Sequence, residues 1–341
     1  GDEIRNGFQH YLRTHGNRLG GHPVTEEERD EGESPEDAQA ALAELLDRDV
    51  HAVVGVATSA ALLAIQQQIE SEHVPLLAAN ASPRDLRGVT YIWRTSYVNQ
   101  EPGLALGGHL ASATRGTVAL VAQDDPTGTD AVAGLQEAFA AAGAGDRLAP
   151  PIFTPTRSDP DSDYFTGALA ELAARDPQVT FACYTGAAAV AFVRQYLDAG
   201  FEADRLYGPA HLTEGVVLDE LGEAALGVRT SANYAAELRS STNRAFAVDY
   251  RAEFGRSPTI YAVAAYDAAA ALDKAIRLTG GVPSRRQINL MLSRIGLLDS
   301  PRGRWQFNQS RTPTQKWYLR EVAHDGPLVA NVVLRDLGTL G

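Results

Sequence analysis

The apolar positions of this chain fall into short runs separated by helical stripes. Between Asp49 and Pro83, the residues Val50, Ala52, Val53, Val54 and Val56 make one nearly continuous run that ends in Ala57-Thr58-Ser59-Ala60. Leu62, Leu63, Ile65 and Ile69 then recur at helical spacing, and after Pro75 a second run, Leu76 to Ala79, ends in Asn80-Ala81-Ser82-Pro83. These lengths and periods predict strand, helix, strand, a βαβ unit. Strands apolar on both faces belong to a parallel sheet covered by helices on both sides. In open α/β sheets ligands sit beyond the C-terminal strand ends, and here those ends carry small hydroxyl and amide residues.

The alternation continues along the chain. Strands are predicted at Tyr91–Thr95, Thr117–Ala122, Pro150–Thr154, Phe181–Tyr184 and Ala225–Ala232, with an edge strand at Val24–Arg29. Helices are predicted over 4–14, 103–113, 130–142, 165–175 (capped by Asp163), 188–199, 242–254, 261–278 and 285–295. Ser34-Pro35-Glu36-Asp37 opens another: Ser caps, Pro suits the first turn, and the acids favour the positive end. Arg304–Phe307 and Lys316–Val322 alternate as antiparallel strands do. Residues 116–228 repeat the pattern of the first hundred, so the predicted fold class is α/β, with a doubly wound sheet in each half.

Length and composition sharpen this. A chain of 341 residues exceeds one typical core, so two domains are expected. No apolar run approaches the roughly 20 residues a membrane helix needs. Acidic residues outnumber basic ones, 43 to 30, and no cluster of Arg and Lys with aromatics suggests a nucleic-acid partner. The single cysteine, Cys183, lies in a strand-like run and reads as a buried, inert thiol. Phosphate-loop, HExxH, GxSxG and post-strand GxGxxG patterns are all missing, so no catalytic residue, metal or cofactor is expected. Asp159–Asp163 begins like a calcium loop but lacks Gly at the sixth position and Glu at the twelfth. What remains is a set of strand-end turns: Ser59-Ala60, Asn80-Ala81-Ser82, Thr127-Gly128, Thr185-Gly186-Ala187 and Ala210-His211. Helix capping explains any one of them. Together, at equivalent edges of two sheets, they point to a cleft between two lobes.

The runs AVVGVATSAALLAI, PLLAANASPRDL and YIWRTSYVNQEPGLALGGHLA, in that order, resemble the extracellular solute-binding proteins of branched-chain amino-acid-type ABC transporters, with the type I periplasmic binding fold. YAVAAYDAAAALDKAI and RGRWQFN resemble that family's last large helix and final crossover, and GDEIRNG its first helix. The resemblance implies two Rossmann-like lobes joined by three hinge crossovers: residues 1–114 plus 234–302, and 115–233 plus 303–341. It implies a monomeric, non-enzymatic protein, extracellular or periplasmic, that closes on a small-molecule ligand and delivers it to a membrane permease. Family members carry a strand and a pocket loop before the GDEIRNG helix. Further residues upstream, with an export signal or a lipid-attachment cysteine, are therefore expected.

Residue by residue, the resemblance implies that Ser59 and Ala60 hold a ligand carboxylate and that Asn80, Ala81 and Ser82 form the neighbouring turn. Helix-start N–H groups favour an anion there. In the second lobe Ala210, with His211 beside it, stands where leucine-type binders place the acid that holds the ammonium. Thr127 and Ala187 stand where they place aromatic residues. Tyr184, Tyr261 and Tyr234 are candidate aromatic walls, and Glu214 is an alternative source of the missing anion. Loss of that acid removes a charge-assisted bond worth roughly 1.5–3 kcal/mol. The expected ligand is a small carboxylate, an aromatic or hydrophobic acid before a branched-chain amino acid. The alternative is a ligand sensor of the amide-responsive type on the same fold.

Overall fold

Capping chemistry sets where the first helices begin in the computed structural model, which describes residues 1–86 and 88–341. After α1 (Asp2–Thr14) comes a two-residue hairpin, β1 (Arg18–Leu19) with β2 (His22–Pro23). Ser34 then caps α2 (Pro35–Leu46): Asp37 N–H donates to Ser34 Oγ at 3.1 Å, and Ser34 N–H donates to the Asp37 carboxylate at 3.2 Å. The βαβ unit follows as β3 (Val53–Gly55), α3 (Ser59–Glu72) and β4 (Leu76–Ala78), with β5 (Ile92–Arg94) completing a parallel sheet ordered β3-β4-β5. Side chains alternate across it. Leu76 and Ala78 pack with Leu62, Ile65 and Leu42 of α3 and α2, while Leu77 joins Trp93 and Leu272 on the opposite face.

The middle of the chain builds a second sheet. Its elements are α4 (Glu101–Ala113), β6 (Val118–Gln123), α5 (Pro126–Ala141), β7 (Ile152–Thr154), α6 (Thr166–Arg175), β8 (Val179–Cys183), α7 (Gly186–Asp198), β9 (Leu206–Pro209), α8 (Val216–Leu221) and β10 (Arg229–Ala232). Then α9 (Ser241–Phe254), α10 (Ile260–Thr279), α11 (Arg285–Leu292) and β11 (Gln306–Phe307) return to the first sheet's neighbourhood. The last strands are β12 (Pro313–Asp325) and β13 (Leu328–Leu340). Strand order is β11-β12-β10-β9-β8-β6-β7, parallel from β10 to β7, with β12 antiparallel to both β11 and β10 and β13 paired to β12. Among the described residues no helix is long and apolar enough to cross a membrane.

Two compact units result. Unit one is Gly1–Val98, Leu238–Gln315 and Gly341; unit two is Asn99–Glu237 and Lys316–Leu340. These bounds differ from those expected: α4 belongs with unit two, not with the first lobe. The reason is its contact with α5, where a Cβ on Gly103 would sit 2.0 Å from the Ala131 carbonyl oxygen and one on Gly134 would sit 2.1 Å from that of Gln100. Only glycine lets the two helices approach so closely. Residues 303–315 likewise belong to unit one. There Arg302 and Asp267 form a buried ion pair at 2.8 Å, and Arg302 also donates to Gln315 at 2.7 Å.

Other expectations change locally. Val24–Arg29 is not a strand: the charged run Glu26–Asp30 stays out of the sheet, and only His22–Pro23 pairs. Asp163 makes no side-chain cap on α6. Helix α5 starts four residues early because Asp125 caps it, accepting from Thr127 N–H at 2.9 Å and Gly128 N–H at 3.0 Å. Strand β13 was not expected at all.

Candidate functional site

In unit one the C-terminal ends of β3, β4 and β5 come to one sheet edge. The chain leaves β3 through Val56, whose φ of +65° lies in the left-handed region that a β-branched residue adopts only under strain. Neighbours pin this turn. Ala81 N–H donates to the Val56 carbonyl at 3.1 Å, and Asn80 Nδ2 donates to that of Ala57 at 2.6 Å. Thr58 caps α3, accepting from Ala61 N–H at 3.2 Å. Ser59 is the first helical residue and is buried, whereas Ala60 beside it is exposed. Ala81 and Ser82 are buried, and the Ser82 hydroxyl has no hydrogen-bond partner among the described residues. Asn80 is half-buried, its carbonyl accepting from Ser96 Oγ at 3.3 Å. The structure thus gathers Ser59, Asn80, Ala81 and Ser82 around one helix start. Tyr261 sits half-buried in the first turn of α10 in the same unit.

Sequence reasoning missed Glu31. Its carboxylate accepts from Ala57 N–H at 2.9 and 3.1 Å and from Thr58 N–H at 3.1 Å. The start of α3 therefore already holds one carboxylate. Burial pushes Glu31 above the usual glutamate range, and the two backbone donors partly oppose that. No spacing in the sequence marks it out within the acidic run.

In unit two the adjacent parallel strands β6, β8 and β9 carry the predicted second-lobe residues at their C-terminal ends. Cys183, the last residue of β8, links two of them: its Sγ lies 3.7 Å from the Thr127 carbonyl and 3.9 Å from His211 Nε2. Thr127 is half-buried in the first turn of α5, and Ala187 is exposed in the first turn of α7. Ala210 and His211 are buried in a 3₁₀ turn after β9. Burial, reinforced by the nearby Arg320 guanidinium, pushes His211 down to about 4, so the ring is neutral at physiological pH. Burial pushes the Cys183 thiol up, which keeps it unreactive.

Two expectations for unit two are corrected. Tyr184 does not wall a pocket. It follows directly on β8 and packs on the face covered by α6 and α7, its ring stacked 4.6 Å from Phe192 and edge-on to Phe165 at 4.9 Å. Its hydroxyl meets Thr154 Oγ1 at 3.1 Å. Glu214 does not offer a ligand anion either. Its carboxylate accepts from Arg320 at 2.7 Å with both side chains buried, and Arg320 also donates to the Tyr234 carbonyl at 2.9 Å. Tyr234 itself is buried. Unit one can therefore hold a carboxylate at a helix start. Around Ala210, unit two presents a neutral imidazole, a thiol and small side chains.

A sequence model of a family described as periplasmic binding protein matches residues 1–327. Leu/Ile/Val-binding protein homolog 6 of Brucella melitensis is 27% identical over 332 residues, 95% of this chain and 83% of that one. Among solved structures, an ABC transporter solute-binding protein from R. palustris in complex with benzoate is 26% identical, with a TM-score of 0.89, covering 99% of this chain and 92% of that one. A solute-binding protein from Rhodopseudomonas palustris BisB5, in complex with 3,4-dihydroxy benzoic acid, is 25% identical with a TM-score of 0.89, covering 100% and 93%.

Proposed function

This chain belongs to the periplasmic binding protein family, and from that premise we propose that it is the solute-binding component of an ABC importer for a small aromatic carboxylate. It works in the periplasm or outside the cell and delivers its ligand to a membrane permease. The observation that carries the ligand class is the pairing of Glu214 with Arg320. That pair, with Ala210 small and His211 neutral, leaves this region of unit two without a side-chain anion for an α-ammonium. A leucine-type ligand would bring that cation into a site unable to compensate its lost hydration. The helix start of α3 suits a carboxylate. The benzoate and dihydroxybenzoate complexes of the two R. palustris proteins support the aromatic class. Movement of the two units on ligand binding, across the chain crossings at 98/99, 237/238 and 315/316, is part of the proposal; small-angle scattering with and without ligand tests it.

A thermal-shift screen with benzoate, 3,4-dihydroxybenzoate, leucine and isoleucine tests the ligand class. A true ligand at 100 times its dissociation constant adds about 2.7 kcal/mol to stability. Stabilisation by leucine and none by the aromatic acids would overturn the assignment.

A further inference from the structure

We propose that Arg302 is a positioning residue for the movement of the two units: it fastens the chain at two of the three crossings to one point in unit one, so that the pivot lies beyond Ser96 and Gln315. This rests on the solute-binding reading above. Ser96 stands just before the crossing at 98/99, and Gln315 is the last residue before that at 315/316. Arg302 Nη1 donates to the Ser96 carbonyl at 3.2 Å and to Gln315 Oε1 at 2.7 Å. Gln315 Nε2 donates to the same Ser96 carbonyl at 2.7 Å, which closes a triangle between the two segments. All three residues are buried. The guanidinium is itself held. It pairs with Asp267 of α10 at 2.8 Å and lies over the Trp305 ring at 4.6 Å. Asp267 accepts in turn from Ser300 Oγ and Trp305 Nε1, each at 2.9 Å.

Stability does not explain this pair. Burial pushes Asp267 up from the ordinary 3.8 to about 6, even with these donors around it. The contribution of this group to stability is therefore present below pH 3.8 and lost as pH rises through 6, so at neutral pH the charged carboxylate is a cost. An apolar pair of similar volume would serve the core at least as well. What an apolar pair cannot do is tie a backbone carbonyl at one crossing to a side chain at another. Unit two repeats the device. Arg320, on β12 just after the crossing at 315/316, is buried and paired with Glu214 at 2.7 Å. It donates at 2.9 Å to the carbonyl of Tyr234, just before the crossing at 237/238. Each unit thus uses one buried arginine, paired with a buried carboxylate, to hold chain segments where they leave it. Apparent affinity scales with the population of the binding-competent arrangement. A loosened exit spreads the chain over more arrangements and weakens binding without touching a ligand.

Calorimetric titration of benzoate, with leucine as a second probe, into wild type, Gln315→Met and Asn289→Ala tests this. Gln315→Met keeps the length of the side chain and removes its bonds to Ser96 and Arg302. Asn289→Ala removes buried hydrogen bonds to Trp93 and the Thr90 carbonyl elsewhere in unit one, so it damages the fold and leaves the crossings alone. Well below the melting temperatures, lost stability by itself leaves the dissociation constant unchanged. The expected result is that Gln315→Met binds at least about fivefold more weakly, while Asn289→Ala binds as wild type does. Wild-type affinity in Gln315→Met, or an equal loss in both variants, overturns the inference. Hydrogen exchange of the wild-type chain decides the case where Gln315→Met does not fold. Amides within residues 94–97 and 312–315 should exchange no faster than those of α10 around Asp267, free and with ligand. Faster exchange in either state overturns the inference. Absence of binding by both probes to the wild type overturns the functional reading instead, and exchange in the free chain still decides the anchor.

Discussion

His211 ties the stability of unit two to pH in a way that can be measured. Its ring is buried near Cys183 and Arg320, so the folded chain takes a proton there only at about pH 4, while the unfolded chain does so at 6.5. The unfolded state binds the proton first as pH falls. The contribution of His211 is therefore fully present above pH 6.5, declines through the window between 6.5 and 4, and is lost below it. A separation of about 2.5 units corresponds to about 3 kcal/mol. Urea unfolding of wild type and His211→Gln, followed by circular dichroism in steps from pH 7.5 to 4, isolates the effect, because every other titrating group is common to both. The stability difference between the two proteins should shrink or reverse by about 3 kcal/mol in favour of the variant across that range. Packing lost in the variant adds a constant offset that leaves the slope untouched. A difference that stays flat to within about 0.5 kcal/mol would refute the reasoning, since it would mean that the imidazole is protonated or solvated in the fold.

Three further outcomes are expected. Glu214→Gln leaves the Arg320 guanidinium buried without its counter-charge and should cost about 3–5 kcal/mol in urea unfolding, much of it recovered when Arg320→Met is added. Gly134→Ala places a methyl 2.1 Å from the Gln100 carbonyl oxygen. It should cost about 1–3 kcal/mol by forcing α4 and α5 apart, and an unchanged melting temperature would contradict that contact. Ser82→Ala removes a buried hydroxyl that lacks a partner among the described residues, so stability should hold or rise slightly. Carboxylate affinity in calorimetry should fall about tenfold or more if that hydroxyl donates to the ligand.

Legibility followed the range of the interactions. The Asp49–Pro83 unit was readable because its two periods are local, and α2 because Ser34, Pro35 and Asp37 satisfy one another within four residues. Val24–Arg29 was misread because an apolar start outweighed the charges that keep it out of the sheet. Strand β13 was missed because it lies at the sheet margin, where half-exposed positions blur the alternation. At the site, the strand ends were legible but their occupancy was not. Glu31 reaches its amides from 26 residues away, and the Glu214–Arg320 pair closes over 106. Tyr184 reads as a pocket wall from its place just after β8, because the rings that bury it, Phe165 and Phe192, come from outside that strand.

The assembly of each unit from separated segments has a consequence for how the chain is made. Unit one needs residues 238–315, and unit two needs 316–340 for its edge strands β12 and β13. A ribosome reading from the amino terminus must pass all of residues 99–237 before it reaches the second segment of unit one, so the usual order in which an early domain folds while a later one is synthesised does not apply. The nascent chain carries all three strands of the first sheet early, but the face packed with Leu272 waits for α10, and the second sheet waits for β12 and β13. That favours handing it over unfolded, and it makes residues 316–340 the step that completes unit two.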